Sequence, residues 1–170
     1  YTVINDDNNF VKQITIKEGI PLTHRFIVDD NNPVRYVLPN ENVDTTSISV
    51  RVQESLSDTT ITEFTIATNI AQVFSTSPVY FIEEAFGGKY EIIFGSGSLG
   101  RNVKNGNVVI VDYLVCNGDT TNGATTFSVD DLSGITVPYT SASLTTVSNS
   151  TGGRNQESIE SIKFNAPRNY

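Results

Sequence analysis

The stretch YEIIFGSGSLGRNVKNGNVVIVDYLV (residues 90–115) decides the fold class, because a glycine motif stands there between two strand-like runs. Its three glycines spell G-x-G-x-x-G, a motif that binds dinucleotides when the third glycine opens a helix: Gly95, Gly97 and Gly100. Here the turn signal Asn105-Gly106 comes next, and Val108–Val115 follows with the β-branched and aromatic residues of a strand. The order strand, glycine loop, turn, strand therefore indicates β-structure and not a dinucleotide site.

The glycines of this stretch have a structural interpretation instead. Turns need backbone with positive φ or room for a second backbone segment, and glycine supplies both because it has no Cβ. We therefore predict structural roles for Gly95, Gly97, Gly100 and Gly106.

Asp112 is the one charged residue inside the apolar run Val108–Val115. That run is apolar on both faces, which predicts a strand that is central or covered on both sides. A lone buried carboxylate would be costly. We therefore expect Asp112 to be paired, hydrogen-bonded, or located at an edge or interface, and Arg101 and Lys104 are the nearest basic residues in the sequence.

Composition favours a β-rich domain and argues against several partner classes. Of 170 residues, 38% are hydrophobic and only 18% charged, and much of the remainder is Asn, Thr and Ser. The net charge is −8 with no basic cluster, so neither nucleic acid nor an anionic membrane is an expected partner. The single cysteine, Cys116, excludes a disulfide within the chain.

Alternating apolar residues predict many short strands. One face of the first clear run holds Leu22, His24, Phe26 and Val28, residues 48–52 alternate likewise, and residues 79–95 read as a hairpin with its turn near Phe86-Gly87-Gly88-Lys89. Shorter candidates are residues 14–16, 64–66, 127–129, 135–137 and 144–147. We predict a mainly β chain, an antiparallel β-sandwich or barrel-like domain, with a short C-terminal helix.

Two segments follow from this pattern. Residues 1–150 form the predicted β-rich domain. Residues 151–170 are predicted to be a loop and a short helix, stopped by Pro167, that lead into a following domain absent from this chain. The missing initiator Met agrees with an internal fragment.

Catalytic chemistry has little support in the sequence. His24 is the only histidine and lies on the apolar face of its predicted strand, and no G-x-S-x-G elbow or cysteine-protease signature accompanies it or Cys116. If Gly87-Gly88 is a two-residue turn, Glu84 and Glu91 lie opposite each other near the spacing of a retaining glycosidase. Trp is absent, however, and hairpin tips are usually solvated, so we predict no enzyme and no cofactor.

The number of metal-ligating side chains limits which metals the chain can bind. Two Cys and His residues in all are too few for a zinc site. The Asp/Asn-rich loops at residues 5–9, 29–32 and 130–131 offer oxygen ligands for calcium, but none matches an EF-hand loop. Asx side chains also cap turns without an ion, so whether such a loop binds calcium stays open.

Three segments in order resemble the baseplate wedge proteins of T-even-like contractile-tailed phages, within the wider baseplate J-like family. Residues 34–55 (VRYVLPNENVDTTSISVRVQES) resemble a family segment with N-x-N-V-D, residues 90–124 resemble Y-E-x-x-F-G-D-G-x-x-G followed by G-N-x-V and N-G-A, and residues 151–170 resemble G-G-x-x-x-E-S-I-E-x-I. The three cover about half of the chain. Ser96 stands where the family often has Asp.

The resemblance implies a structural β-domain of the virion, without an active site. It implies that other baseplate wedge subunits, and further copies of this chain, are the partners, and that the protein joins the tail hub to the baseplate periphery. Its implied location is the tail baseplate of the virion, after assembly in the host cytoplasm. Two alternatives stay open: a receptor- or glycan-binding β-sandwich module of a tail fibre or adhesin, and a tail-associated glycan hydrolase.

Overall fold

The computed structural model describes residues 3–6, 9–12, 14–31, 35–128, 144–155 and 157–168, with side chains from residue 14 onward. Within these ranges the chain forms nine strands: β1 Val3–Asp6, β2 Asn9–Lys12, β3 Ile20–Ile27, β4 Tyr36–Val37, β5 Ser49–Gln53, β6 Ile61–Ile66, β7 Val79–Ala85, β8 Lys89–Phe94 and β9 Val108–Val115. The helix α1 spans Ile159–Asn165. Short 3-10 turns lie at Thr45–Ser47, Ile70–Gln72, Gly118–Thr121 and Ala166–Arg168.

Seven strands form one sheet in the order β3-β9-β5-β6-β7-β8-β4, and β1 with β2 forms a separate hairpin. All neighbours are antiparallel except β6 and β7, which are parallel and joined by the crossing segment 67–78. The two edge strands approach each other, because the rings of Phe26 on β3 and Tyr36 on β4 lie 5.5 Å apart. The sheet is therefore a nearly closed barrel, and the predicted mainly β, barrel-like fold is confirmed.

The core lies inside the barrel and follows the period-2 alternation of its strands. On β3 the side chains of Leu22, His24 and Phe26 are half-buried while their neighbours are exposed. Fully or nearly fully buried residues come from most strands and their flanks: Leu38, Val50, Val52, Phe64, Tyr80, Ile92, Val109, Val111 and Tyr113. Because β9 lies between β3 and β5, it is the central strand that its two apolar faces predict.

Aromatic rings close the seam of the barrel. Tyr36 packs edge-on against Phe26 and, at 5.3 Å, against Phe94, and Phe94 packs against Phe64 at 5.4 Å. Edge-to-face geometry is favoured because the ring quadrupoles are then complementary. This row joins β3, β4, β8 and β6 across the gap where no backbone ladder closes the sheet.

Some expected strands do not form. Residues 14–16 and 144–147, and residues 127 and 128, lie in irregular backbone, whereas residues 129 and 135–137 fall outside the described residues. The helix expected after residue 157 is present, with Ser158 as N-cap accepting a hydrogen bond from the Ser161 N–H. In the described ranges no helix has the length and apolar character needed to cross a membrane.

Candidate functional site

The glycine loop after β8 is compact backbone. Gly97, Gly100 and Gly106 have φ of 85°, 80° and 85°, in the left-handed region that favours glycine. Gly95 has no positive φ, but a Cβ there would lie 2.3 Å from backbone atoms of Leu99 and Gly100. The loop therefore requires glycine for two different reasons, conformation at three positions and close packing at the fourth.

This glycine loop is joined to the crossing segment 67–78. The Gly100 N–H donates to the Phe74 carbonyl at 3.1 Å, and the Arg101 N–H donates to the Ser77 carbonyl at 2.8 Å. The two loops together expose three large apolar side chains, Ile70, Phe74 and Leu99. We call these three residues the loop patch. A further aromatic residue, Phe86, is fully exposed at the tip of the β7–β8 hairpin.

Asp112 is held by two neighbouring strands. Thr23 on β3 donates its hydroxyl hydrogen to Asp112 Oδ1 at 2.6 Å, and Arg51 Nη2 on β5 lies 2.5 Å from Asp112 Oδ2. Burial alone would raise the pKa of Asp112, but the Thr23 hydroxyl and the Arg51 guanidinium outweigh it and hold the pKa below its ordinary value. The carboxylate is thus a structural ion, half-buried on the outer face of the barrel.

Asp112 is paired and hydrogen-bonded as expected, but its basic partner is Arg51 and not Arg101 or Lys104. Arg101 instead lies 3.2 Å from a carboxylate oxygen of Glu54 and places its guanidinium 6.0 Å from the centre of the Phe64 ring. Sequence proximity is uninformative here, since the partner comes from the adjacent strand in the sheet. Lys104 uses its backbone N–H, which donates to the Asn107 side chain at 2.8 Å.

The condition under which Glu84 and Glu91 would lie opposite each other, a two-residue turn at Gly87-Gly88, is not met. The turn of the hairpin contains Phe86, Gly87 and Gly88, so Glu84 lies opposite Tyr90 and Glu83 lies opposite Glu91. Glu91 is buried and engaged by the guanidinium of Arg35 through Nε and Nη2. This bidentate pair neutralises the carboxylate, so the hairpin does not present two free acids.

The other reactive side chains are placed as structural groups. The His24 ring packs edge-on at 4.5 Å against Phe26 inside the barrel. The Cys116 thiol donates to the Glu18 carbonyl at 3.0 Å. Burial, followed by the carboxylates of Glu18 and Asp44, raises the pKa of Cys116, which disfavours the nucleophilic thiolate.

The described residues contain no group of three or more His, Cys, Asp or Glu side chains arranged to hold a metal ion. In the loop at 29–31, Asp29 caps a turn by accepting the Asn31 N–H at 2.9 Å. The Asp/Asn-rich residues 5–9 and 130–131 lie outside the residues whose side chains the structure describes.

An open groove of about 590 Å³ lies at the end of the barrel where β5 begins and β6 ends. We call it the barrel-end groove, and its wall is mostly apolar: Ile48, Ile66, Tyr80, Ile82 and Tyr90, with Thr45 and Thr46 at one side. Burial raises the pKa of the Tyr80 hydroxyl, which donates to the Ile48 carbonyl at 3.0 Å. The polar group in the floor is therefore satisfied, and the open side chains are apolar.

Beyond β9 the chain is held by a second close glycine contact. A Cβ at Gly153 would lie 2.1 Å from the Gly118 carbonyl oxygen. Asn122 bonds the backbone of Gly153 in both directions, through its amide hydrogen and its amide oxygen. The Asn155 side chain accepts a hydrogen bond from the Asp119 N–H and donates one to the Asp119 carboxylate. The segments 117–124 and 150–155 are therefore fixed to each other where the chain leaves the barrel.

Comparison with known proteins gives a distant relationship. No family model matches the chain. Baseplate wedge protein gp6 of Enterobacteria phage T4 is 26% identical over 153 residues. The chain is distantly related to a phage baseplate protein. The match covers 79% of this chain and 22% of the relative, so the chain spans about a fifth of that protein's length.

Sequence reasoning missed two features of this surface. The barrel-end groove depends on where β6 stops beside β7, and periodicity does not reveal which strands are neighbours. The loop patch depends on the contact between segment 67–78 and the glycine loop. A signal was present in the exposed apolar residues of an otherwise polar segment, ATNIAQVFSTS at residues 67–77.

Proposed function

We propose that this protein is a structural component of a phage tail baseplate wedge, which assembles through protein–protein contacts and links the tail hub to the baseplate periphery. The observation that supports this most strongly is the similarity to a baseplate wedge protein over 79% of the chain. The three ordered sequence segments of the family pattern support it independently of the fold. Its partners would be other wedge subunits and further copies of the chain, in the virion tail after assembly in the host cytoplasm.

The surface of the described residues suits assembly better than catalysis. Two apolar features are open to a partner, the loop patch and the barrel-end groove. Exposed apolar surface of this kind typically marks protein contacts. Of the titratable groups that we considered for catalysis, Glu91 is paired with Arg35, His24 is packed against Phe26 and the Cys116 thiol is hydrogen-bonded to the Glu18 carbonyl. The proposed role therefore works through buried surface and needs no cofactor.

The proposed domain organisation follows from the same relationship. Residues 1–150 would be one β-rich module, and residues 151–170 would lead into a further domain of a longer chain. In α1, Ile159 and Ile162 are exposed, which agrees with a helix whose cover comes from elsewhere.

A complementation experiment tests the proposed function. Phage lacking this protein would be supplied with the full-length chain or with a version lacking residues 1–150. We expect the full-length chain to restore contractile baseplates and to co-purify with the other wedge subunits, and the shortened chain to fail in both. Normal baseplates with the shortened chain would overturn the proposal.

A receptor- or glycan-binding module is the second candidate, since Phe86 and Phe74 are exposed aromatic residues of the kind that sugars stack on. A glycan array probed with the full-length chain separates the two functions. Specific binding that is lost in Phe86→Ser, in particles that assemble normally, would favour the receptor role. The glycan hydrolase has little structural support, because Glu91, which lies opposite Glu83 and not Glu84, is engaged by the Arg35 guanidinium.

A further inference from the structure

Strand β7 has a free edge beside the barrel-end groove. β6 pairs with β7 only through Thr65–Val79 and Ile66–Tyr80, after which the chain turns away from the sheet. β7 nevertheless continues to Ala85, paired with β8 on its other side. Among the described strands, none lies beside β7 on the β6 side at Ile82.

The backbone of Ile82 points toward this empty position. Ile82 lies opposite Ile92 on β8. The Tyr90 carbonyl accepts a hydrogen bond from the Leu38 N–H at 2.8 Å, so the even-numbered residues of β8 direct their backbone groups away from β7. The pair Ile82–Ile92 is therefore a non-hydrogen-bonded pair of the antiparallel ladder. It follows that the N–H and C=O of Ile82 face the β6 side.

The bonds from β6 show the same direction. The Thr65 N–H donates to the Pro78 carbonyl at 3.0 Å, and the Ala67 N–H donates to the Tyr80 carbonyl at 2.9 Å. The next bond of a parallel ladder would join the Ile82 N–H to the Ala67 carbonyl. Within the described part of the chain that bond is not formed. One donor and one acceptor at Ile82 are thus available to an added strand.

The groove next to this edge suits the side chains of such a strand. Ile82 and Tyr80 direct their side chains into the groove, whose far wall is Ile48 and Ile66. Side chains of an added strand would alternate between this groove and the outer face. Main-chain bonds to Ile82 would align the segment, and the groove would select an apolar residue at every second position.

Charge indicates what kind of segment fits. The chain has a net charge of −8. Glu83 is exposed on β7 just beyond Ile82. A second copy of the chain would bring another −8 to the contact, whereas a segment with Lys or Arg would be attracted to it. The complementary occupant is therefore a different protein.

We propose that the free edge of β7 at Ile82 and the barrel-end groove bind an extended segment of another protein, with apolar side chains at alternate positions and Lys or Arg near Glu83. The segment would add to the sheet as a further strand where β6 ends. This inference rests on the proposed assembly role and names the contact through which one partner is held.

Photo-crosslinking in assembled particles tests it. The full-length chain would have benzoylphenylalanine in place of Ile66, and purified baseplates would be irradiated and the cross-linked peptide sequenced. We expect a segment of a different protein with alternating apolar residues and a basic end, and slower hydrogen exchange of peptide 79–85 in baseplates than in the free protein. A cross-link to a second copy or within the chain, no cross-link, or unchanged exchange would overturn the inference.

A matched pair of variants provides the quantitative test. Ile66 in the groove and Ile61 at the other end of the same strand are 46% and 44% exposed. We expect Ile66→Asp to reduce incorporation into baseplates at least tenfold and Ile61→Asp to reduce it less than twofold. Equal incorporation of both variants would overturn the inference while the baseplate role remains. Absence of the unmodified chain from baseplates would overturn both.

Discussion

At the scale of single residues, Asp112 shows how a carboxylate is tolerated in the central strand. Its neighbours in register are Thr23 on β3 and Ser49 on β5, and Arg51 reaches it from two residues along β5 on the same face. The pair is about one-third exposed, so solvent screens it and its contribution is smaller than that of a buried pair. We infer that it stabilises the alignment of three strands.

Replacing Asp112 with Asn should lower the free energy of unfolding by about 1 kcal/mol at pH 7, because a charge-assisted bond is lost at a partly exposed site. The folded-state pKa of Asp112 lies below the unfolded value of 3.8. The stabilisation is therefore present above about pH 3.8 and is lost as the pH falls through the folded-state pKa. Urea unfolding of wild type and variant should converge at low pH, with Glu41→Gln as an exposed control. A difference that persists unchanged in acid would contradict this.

Gly95 and Gly106 should respond to alanine for different reasons. Ala at position 95 places a Cβ 2.3 Å from the backbone of Leu99 and Gly100, so the loop must move, at a cost of about 2 kcal/mol or more. Ala at position 106 meets no atom within 4 Å and costs only backbone strain, about 1 kcal/mol. Thermal unfolding of both variants checks the order. If Gly106→Ala lowered the melting temperature more than Gly95→Ala, the packing at Gly95 would not be tight.

At the scale of elements, the β7–β8 hairpin extends beyond its β6 neighbour and offers a backbone test of its register. Phe81 forms a ladder pair with Ile93, whereas Ile82 faces the free edge. Pro removes a hydrogen bond only where the N–H is engaged. Proline should therefore destabilise the protein much more at position 81 than at the adjacent position 82.

We expect Phe81→Pro to destabilise the protein much more than Phe81→Ala, since it removes a bond to β8. The difference in free energy of unfolding between Ile82→Pro and Ile82→Ala should be less than half of the difference between Phe81→Pro and Phe81→Ala. Subtracting the alanine variant in each case removes the effect of the lost side chain. Unfolding in guanidinium gives the free energy of unfolding of the four variants. If proline destabilised the protein relative to alanine more at position 82 than at position 81, the Ile82 N–H would be engaged in the folded chain.

At the scale of the whole molecule, the exposed apolar residues should affect assembly and not folding. Phe74 in the loop patch and Leu56 in the turn after β5 are 71% and 73% exposed. Exposed substitutions usually change stability by no more than about 0.5 kcal/mol. Phe74→Ser and Leu56→Ser should therefore melt close to wild type.

Their incorporation into baseplates should nevertheless differ. If the loop patch is a contact surface, Phe74→Ser weakens incorporation of the full-length chain and Leu56→Ser does not. Quantifying the protein in purified particles by mass spectrometry measures this. Equal incorporation would remove the loop patch from the contacts of the wedge.

The sequence alone determined the features that depend on neighbouring residues. The alternation of β3 and β5, the central position of β9, the hairpin at residues 79–95 and the helix after Ser158 follow from local periodicity, turn residues and a cap. The net negative charge, and the absence of a helical pattern after Gly100 that could bind a nucleotide, could also be read from the sequence. These signals are local, because period and turn chemistry act within a few residues.

The tertiary structure alone decided which distant residues meet. The parallel pairing of β6 with β7, the ion pair of Asp112 with Arg51 and the placement of Glu83, not Glu84, opposite Glu91 all depend on strand order and register. Register is set by the packing of whole strands, and one residue of slip moves every side chain to the other face. The loop patch and the barrel-end groove have the same origin, since both form where segments far apart in the chain end beside each other.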